Sequence, residues 1–332
     1  MKRIAFFDLE PWEGHYLKRH LRGFRVDCFT EGLTEKNATK AKHADAVGVF
    51  IYSNVTDKLL RKLPKAKLIV TLSTGFDHID VKAAARKGIA VCNVPEYGSN
   101  TVAEHTFALI LSVSRKIPQS IERTQRGDFR LDGLRGFDLA GKTIGLVGLG
   151  KIGYHVARIA QGFEMKVLAF DPYAKKTQGI RLAPLKTVLQ QSDVVSLHCP
   201  LNEKTHHLLN AKTLKWVKQG AVLVNTARGG LIETEALLKA LFEKRIGAAA
   251  LDVLEEEGAI REEKQLLHEA FLKTSNFKTA LQQHALLAQD NVIITPHNAF
   301  NSQEALQRIL DTTVGNVKAY FKGKPQNVVK NK

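Results

Sequence analysis

Short apolar runs alternate with segments of helical periodicity along almost the whole 332-residue chain. That alternation is the pattern of βα units built around parallel sheets. In the first third the runs predict strands at 4–7, 26–30, 46–51, 68–72 and 90–93. A second set follows at 143–148, 166–170, 194–198, 222–225, 248–253 and 292–295. Two sets of strands imply an α/β fold of two doubly wound, Rossmann-like parallel-sheet domains with a cleft between them. A helix marks the boundary. Thr101 and Glu104 fit a capping box, Phe107, Ala108, Ile110 and Leu111 supply its apolar face, and Pro118 stops it. A further helical pattern over 302–321 carries Ala305, Leu306, Ile309, Leu310, Val314 and Val317 as its stripe. With no strand left behind it, it is expected to return to the amino-terminal domain.

The most informative unit lies at 142–172. A buried-strand pattern feeds Gly148, Gly150 and Gly153, spaced G-x-G-x-x-G, then a helical stripe through Val156, Ile159 and Ala160. A second apolar run ends in Asp171, 18 residues after Gly153. This is what a dinucleotide needs. Gly148 allows the tight turn, Gly150 admits the pyrophosphate to the backbone, and Gly153 lets helix and strand pack closely. Amides at the helix start, around Lys151 and Ile152, face the phosphates with the helix dipole behind them. Asp171 accepts from the adenosine ribose hydroxyls and repels a ribose phosphate, which favours NAD over NADP.

Composition narrows the rest. A hydrophobic fraction of 44% and a charged fraction of 25% are ordinary for a globular protein. No apolar run approaches the ~20 residues that a bilayer requires, so no membrane partner is expected. The first residues read as a strand and not a signal peptide. Cys28, Cys92 and Cys199 lie far apart without metal spacing, so no metal is expected and a reducing cytoplasm fits. The net charge of +16 is compatible with nucleic acid. Lys and Arg are nevertheless scattered, and the favoured reading is a solvated surface that concentrates anionic cofactor and substrate.

Three more segments end strands at the carboxyl edge of the dinucleotide sheet, where open α/β sheets bind ligands. They are Asn225 to Gly230 with Arg228, Ala250 to Glu257 with Asp252, and Thr295 to Phe300 with His297. Each alone has a structural alternative: a surface arginine, a helix cap, a structural histidine. Together they put a guanidinium, an acid and a base beside a dinucleotide. In the first domain, Ser73, Thr74 and Gly75 read equally as an anion-binding nest or a plain βα turn. Tyr52 and Phe300 are candidates for a substrate pocket wall, with core packing as the rival reading.

The segments GLGKIG, NTARGG, ALDVLEEE and TPHNAF, with LSTGFDHID and NTVAEHT ahead of them, resemble the D-2-hydroxyacid dehydrogenases from about Leu68 to Phe300. The D-lactate dehydrogenase branch is most similar, through AFDPYA at 169–174, the long segment after Glu257, and Phe300. The resemblance implies an NAD-dependent enzyme acting on the CH–OH group of a small 2-hydroxy acid, with pyruvate and D-lactate the best guess. It makes His297 the acid/base, Glu257 its partner and Arg228 the substrate anchor. It adds Pro200, Thr226, Asp252 and Val102 to the cofactor site, with Asp252 near the nicotinamide carboxamide or supporting the acid/base pair. Glu257 is followed by Gly258 where many members have Pro, and three consecutive acids leave its register open. A bulkier or phosphorylated substrate (2-hydroxyisocaproate, phosphoglycerate) is the alternative, and a dinucleotide-sensing corepressor-like protein is another. The phosphoglycerate version is weakened because no regulatory domain is expected after Phe321. The expected division is 1–99 plus 299–332 as a discontinuous, flavodoxin-like substrate domain, and 100–298 as the NAD domain. A homodimer paired through the 99–117 helix is expected. Leu266, Leu267, Ala270, Phe271 and Leu281 predict helices in the long 258–290 connection.

Overall fold

The computed structural model describes residues 1–255 and 277–329. The chain divides into two compact units, Met1–Gly98 with Asn301–Lys332, and Ser99–Phe300. In the first, β1 (Arg3–Phe6), β2 (Arg25–Cys28), β3 (Ala46–Val49), β4 (Leu68–Thr71) and β5 (Ala90–Cys92) form one sheet in the order β2-β1-β3-β4-β5. Its neighbours pair in parallel throughout. β3 and β4 are buried at every position. That explains their continuous apolar runs, since a parallel sheet is covered on both faces.

The second unit holds β6 (Thr143–Val147), β7 (Lys166–Phe170), β8 (Ile180–Leu182), β9 (Val194–Leu197), β10 (Ala221–Asn225), β11 (Ile246–Leu251) and β12 (Val292–Ile294). Their order is β12-β11-β10-β9-β6-β7-β8, again all parallel. The strand order reverses between β6 and β9, and a crevice at such a reversal is where doubly wound sheets take ligands. β8 was not predicted. It has three residues, of which only Ile180 is buried, too few to show a period.

Three boundaries differ from the sequence reading. The helix opening the second unit runs Ser99–Ser114, so Thr101 lies inside it instead of capping it, and Glu104 accepts from Asn100 Nδ2 at 3.1 Å. Pro118 begins a second helix, Ile117–Gln125, after Lys116 turns the chain with φ 55°. Phe300 and Ala299 fall in the second unit, because the Ala299 amide donates to Asp252 Oδ2 at 2.9 Å. The helix Gln303–Phe321 returns to the first unit as expected. Ser302 caps it by accepting from the Ala305 amide at 3.2 Å, and Ala305, Ile309, Leu310, Val314 and Val317 are buried. Of the predicted 258–290 helices, Phe277–Leu287 is present; residues 266–271 lie outside the described residues. No helix among the described residues is long and apolar enough to cross a membrane.

Candidate active site

At the β6/β9 reversal the glycines answer to backbone demands. Gly148 has φ 99°, and a Cβ there would stand 2.7 Å from the Cys199 amide nitrogen; only glycine fits such a position. Gly150 caps the helix Lys151–Gly162, and a Cβ on it would meet nothing within 4 Å. The space outside that helix start is therefore open. Asp171, just after β7, accepts from the Leu149 amide at 2.8 Å and the Tyr173 amide at 2.8 Å. The carboxylate is thus fixed against the glycine turn, and each oxygen keeps lone-pair capacity for hydroxyl donors. Open space at the helix start and an anchored acid fit a dinucleotide. Lys151 and Ile152 form that first turn. Beside it, burial pushes the His198 imidazole down to about 3, and its Nε2 hydrogen-bonds Ser196 Oγ at 2.9 Å. His198 is a neutral packing group under the turn. Pro200 is exposed at the end of the same segment.

Thr226 and Val102 are linked through a residue the sequence reading passed over. Thr106 Oγ1 donates to the Val102 carbonyl at 2.8 Å and meets Thr226 Oγ1 at 2.9 Å. All three are buried.

The guanidinium, acid and base follow the ends of three adjacent strands, β10, β11 and β12. Backbone bonds lace their ends together. The Asp252 amide donates to the Asn225 carbonyl at 2.9 Å, and the His297 amide donates to the Asp252 carbonyl at 2.9 Å. Three residues past Asn225, Arg228 is half-buried. Asn225 shapes its turn, donating from Nδ2 to the Arg228 carbonyl at 2.8 Å and accepting from the Ala227 amide at 3.0 Å. Arg228 Nη1 donates to the Ala227 carbonyl at 2.7 Å.

Asp252 is 2% exposed and bonded on both oxygens. Thr295 Oγ1 donates to Oδ1 at 2.5 Å, the Asn298 amide to Oδ1 at 3.0 Å and the Ala299 amide to Oδ2 at 2.9 Å. His105 Nε2, unforeseen in the sequence, lies 3.5 Å from Oδ1 and 3.2 Å from Thr295 Oγ1. Burial pushes the carboxyl upward, yet His105, Thr295 and the two amides together hold it below the usual aspartate range. The consequence falls on His297, whose φ of 52° is costly for a residue with a Cβ. Asp252 holds the Thr295 hydroxyl before it and the Asn298 and Ala299 amides after it. Asp252 is thus bonded into the turn that carries His297. Phe300 stands edge-on to the His297 ring, with centroids 6.5 Å apart. Glu257 lies outside the described residues. Its neighbour Glu255 is bonded elsewhere, to His207 Nε2 at 2.5 Å and Thr234 Oγ1 at 2.7 Å.

In the first unit, the Ser73–Gly75 turn closes on itself. Ser73 Oγ donates to the Gly75 carbonyl at 2.6 Å, Thr74 Oγ1 to the Val94 carbonyl at 2.7 Å, and Asn93 Nδ2 to the Thr74 carbonyl at 2.8 Å. Tyr52 is 50% exposed and edge-on to Phe50 at 5.5 Å, so the core-packing alternative does not hold for it.

The family model for the NAD-binding domain of D-isomer specific 2-hydroxyacid dehydrogenases matches residues 107–299. The chain is 36% identical over 328 residues to a D-lactate dehydrogenase of Escherichia coli (strain K12), covering 97% of each chain. It is 37% identical over 338 residues to D-lactate dehydrogenase kk1H of Curvularia clavata, covering 97% of this chain and 93% of that one. Among solved structures, D-lactate dehydrogenase from Aquifex aeolicus, complexed with NAD and lactic acid, matches with a TM-score of 0.86 at 34% identity. The match covers 97% of this chain and 96% of that one.

Proposed function

From the premise that the chain belongs to the D-isomer-specific 2-hydroxyacid dehydrogenases and carries their NAD-binding domain, we propose that it interconverts pyruvate and D-lactate. Bound NADH supplies the hydride that reduces C2 of the 2-oxo acid. The chain must supply the rest: a hold on the carboxylate, a polarised carbonyl, and a proton for the new hydroxyl. His297 is the proton donor, because imidazole titrates near neutrality. Arg228 presents a planar fork that binds a carboxylate and draws charge from the keto oxygen. In the first unit the sequence reading gives Ser73, Thr74, Gly75 and Tyr52 to the substrate; in the second, Phe300 stands beside His297. Glu257 keeps the role of partner to His297 that the resemblance gives it. Gly148, Gly150, Gly153, Lys151, Ile152 and Asp171 hold the nucleotide, with Pro200, Thr226 and Val102 lining it.

The observation that carries this reading is the lacing of three neighbouring strand ends through Asn225, Asp252 and His297. It brings a guanidinium turn and a strained imidazole turn to one edge of the NAD-binding sheet. The test is NADH oxidation, followed by absorbance, with a panel of 2-oxo acids and determination of product chirality. D-lactate from pyruvate, at the highest kcat/KM of the panel, is the expected result. A preference for branched or phosphorylated 2-oxo acids would replace the substrate assignment, and no oxidation with any of them would end the reading.

The working form in this proposal is a cytoplasmic homodimer. The apolar stripe of the Ser99–Ser114 helix, expected to pair two subunits, is buried in the core of its own unit; the helix Ile117–Gln125 buries no residue, and Ile117, Ile121, Phe129 and Leu131 are 43%, 51%, 77% and 81% exposed. Apolar side chains so placed want a partner surface. Sedimentation as a single chain at micromolar concentration would exclude the dimer.

A further inference from the structure

Away from the residues assigned to catalysis, one cluster of side chains has the composition and spacing of a metal centre. His206, His207 and Glu255 each bring one ligand atom, and the three atoms lie within 4.8 Å of one another. The imidazoles of His206 and His207 are stacked, with centroids 3.9 Å apart and planes 27° apart. His207 Nε2 already touches Glu255 Oε1 at 2.5 Å.

The cluster is built, not incidental. His207 is held at φ 50°, a conformation that costs about 1–3 kcal/mol outside glycine and persists only where the surroundings impose it. Its amide donates to the Gly230 carbonyl at 2.8 Å, and its carbonyl accepts from Asn210 Nδ2 at 2.9 Å. The free oxygen of Glu255 accepts from Thr234 Oγ1 at 2.7 Å and the Thr234 amide at 3.2 Å. Those two bonds orient the carboxylate as an outer shell orients a metal ligand. Gln283 Nε2 donates to the Glu255 carbonyl and fixes the backbone from the other side.

We propose that His206, His207 and Glu255 bind a divalent first-row ion of the zinc class, with water in the fourth position. Two imidazoles and one carboxylate suit zinc, cobalt or nickel and not the all-oxygen shells of magnesium or calcium. Bonds of ~2.0–2.2 Å need ligand atoms slightly over 3 Å apart, which small rotations of His206 and Glu255 provide. The ion takes the place of the hydrogen bond between His207 and Glu255, with His207 coordinating through Nε2 as the neutral ring that carries its proton on Nδ1. It joins the His206–His207 turn to the chain leaving β11, and the Arg228–Gly230 turn lies between them. Gly229 packs so closely on the Leu254 carbonyl that a Cβ would overlap it. The bound ion therefore stabilises the segment that carries Arg228.

Cobalt(II) is the probe. Chelator-treated, full-length protein is titrated with Co²⁺ while ligand-field absorption and heat are recorded, and thermal midpoints are compared with and without Zn²⁺. NADH fluorescence on the same samples checks the fold. The wild type is expected to bind one ion per chain with tetrahedral bands and to gain thermal stability with Zn²⁺. His206→Asn, an exposed change, is expected to weaken binding by at least ~10–100-fold and to abolish the thermal gain. A spectrum of hydrated cobalt in the wild type, or equal binding by His206→Asn, overturns the site. Dehydrogenase activity without cobalt binding overturns the metal proposal alone. Cobalt binding without dehydrogenase activity overturns the functional reading alone.

Discussion

Asp8 and Asp252 are carboxylates at the same place in two different sheets. Each follows a parallel strand, β1 or β11, at its carboxyl end, and each bridges to a neighbouring strand's exit. Their protonation behaviour is opposite. Asp252 has donors on both oxygens, from Thr295, Asn298, Ala299 and His105, and stays below the usual range in spite of burial. Asp8 receives both its bonds on Oδ2, from Ser53 Oγ at 2.5 Å and the Phe50 amide at 3.0 Å. Burial outweighs those two donors and raises its carboxyl. Desolvation alone does not set the sign; the number of donors does. The edge that carries His297 has been made to hold a charge, whereas the edge that carries Tyr52 has not.

The largest expected effect comes from removing the group that the Asp252 edge presents. His297→Gln should lower kcat for the preferred 2-oxo acid by ~10²-fold or more and leave NADH affinity nearly intact. Near-normal turnover would take His297 out of the proton-transfer role and leave Asp252 as an anchor without a cargo.

Asp252→Asn comes next. An amide supplies one acceptor oxygen where the turn offers donors to two, so a buried donor loses its partner at ~1–3 kcal/mol. Turnover falls with it, because the backbone on either side of His297 relaxes. The pH dependence has a definite sign. The folded pKa is below the unfolded value, so wild-type stabilisation is complete above about 3.8 and is lost as pH falls through the lowered folded value. Thermal midpoints of wild type and variant should therefore converge toward acid. A constant gap would show that the charge is not what holds the turn.

These residues differ in how far the sequence exposes them. Gly148 and Gly153 are legible because a backbone position with no room for a Cβ leaves a fixed spacing behind. The β strands are legible wherever both faces are covered, as in β3 and β4, and β8 is missed because a single buried residue has no period. The Thr101/Glu104 signature misleads because tertiary packing extends the helix back to Ser99. His105 and Thr106 are invisible as site residues: they lie in a helical stripe whose partners, Thr295, Asp252 and Thr226, are more than a hundred residues away. The His206–His207 pair is likewise silent without Glu255, 48 positions on. Local chemistry leaves a local trace, and contacts made by the sheet order do not.

Asp171 tests whether a third strand-end acid works by charge. Asp171→Ala should relax discrimination against NADPH on the order of tenfold, about 1.4 kcal/mol, because a repulsive element is removed and no attractive one is added. An unchanged NADH preference, measured as the ratio of kcat/KM values, would assign selectivity elsewhere.

The smallest effect belongs to Asp8, and it should run opposite to that of Asp252. Asn at position 8 keeps an acceptor for Ser53 Oγ and the Phe50 amide, so the loop leading to Tyr52 is not released. What changes is the charge. A folded pKa above the unfolded value means that the native state holds its proton more tightly. Wild-type stability is then greatest below about 3.8 and declines as pH rises through the raised folded value. Asp8→Asn carries no such term, so its thermal midpoint relative to wild type should climb from pH 4 toward neutrality, whereas the deficit of Asp252→Asn grows with pH only in the more acid range and is constant above about 3.8. The shift should amount to only a few degrees for a change of about 1 kcal/mol. Parallel pH profiles for the two variants would mean that these buried acids are governed by burial alone, and the contrast between the two edges would disappear.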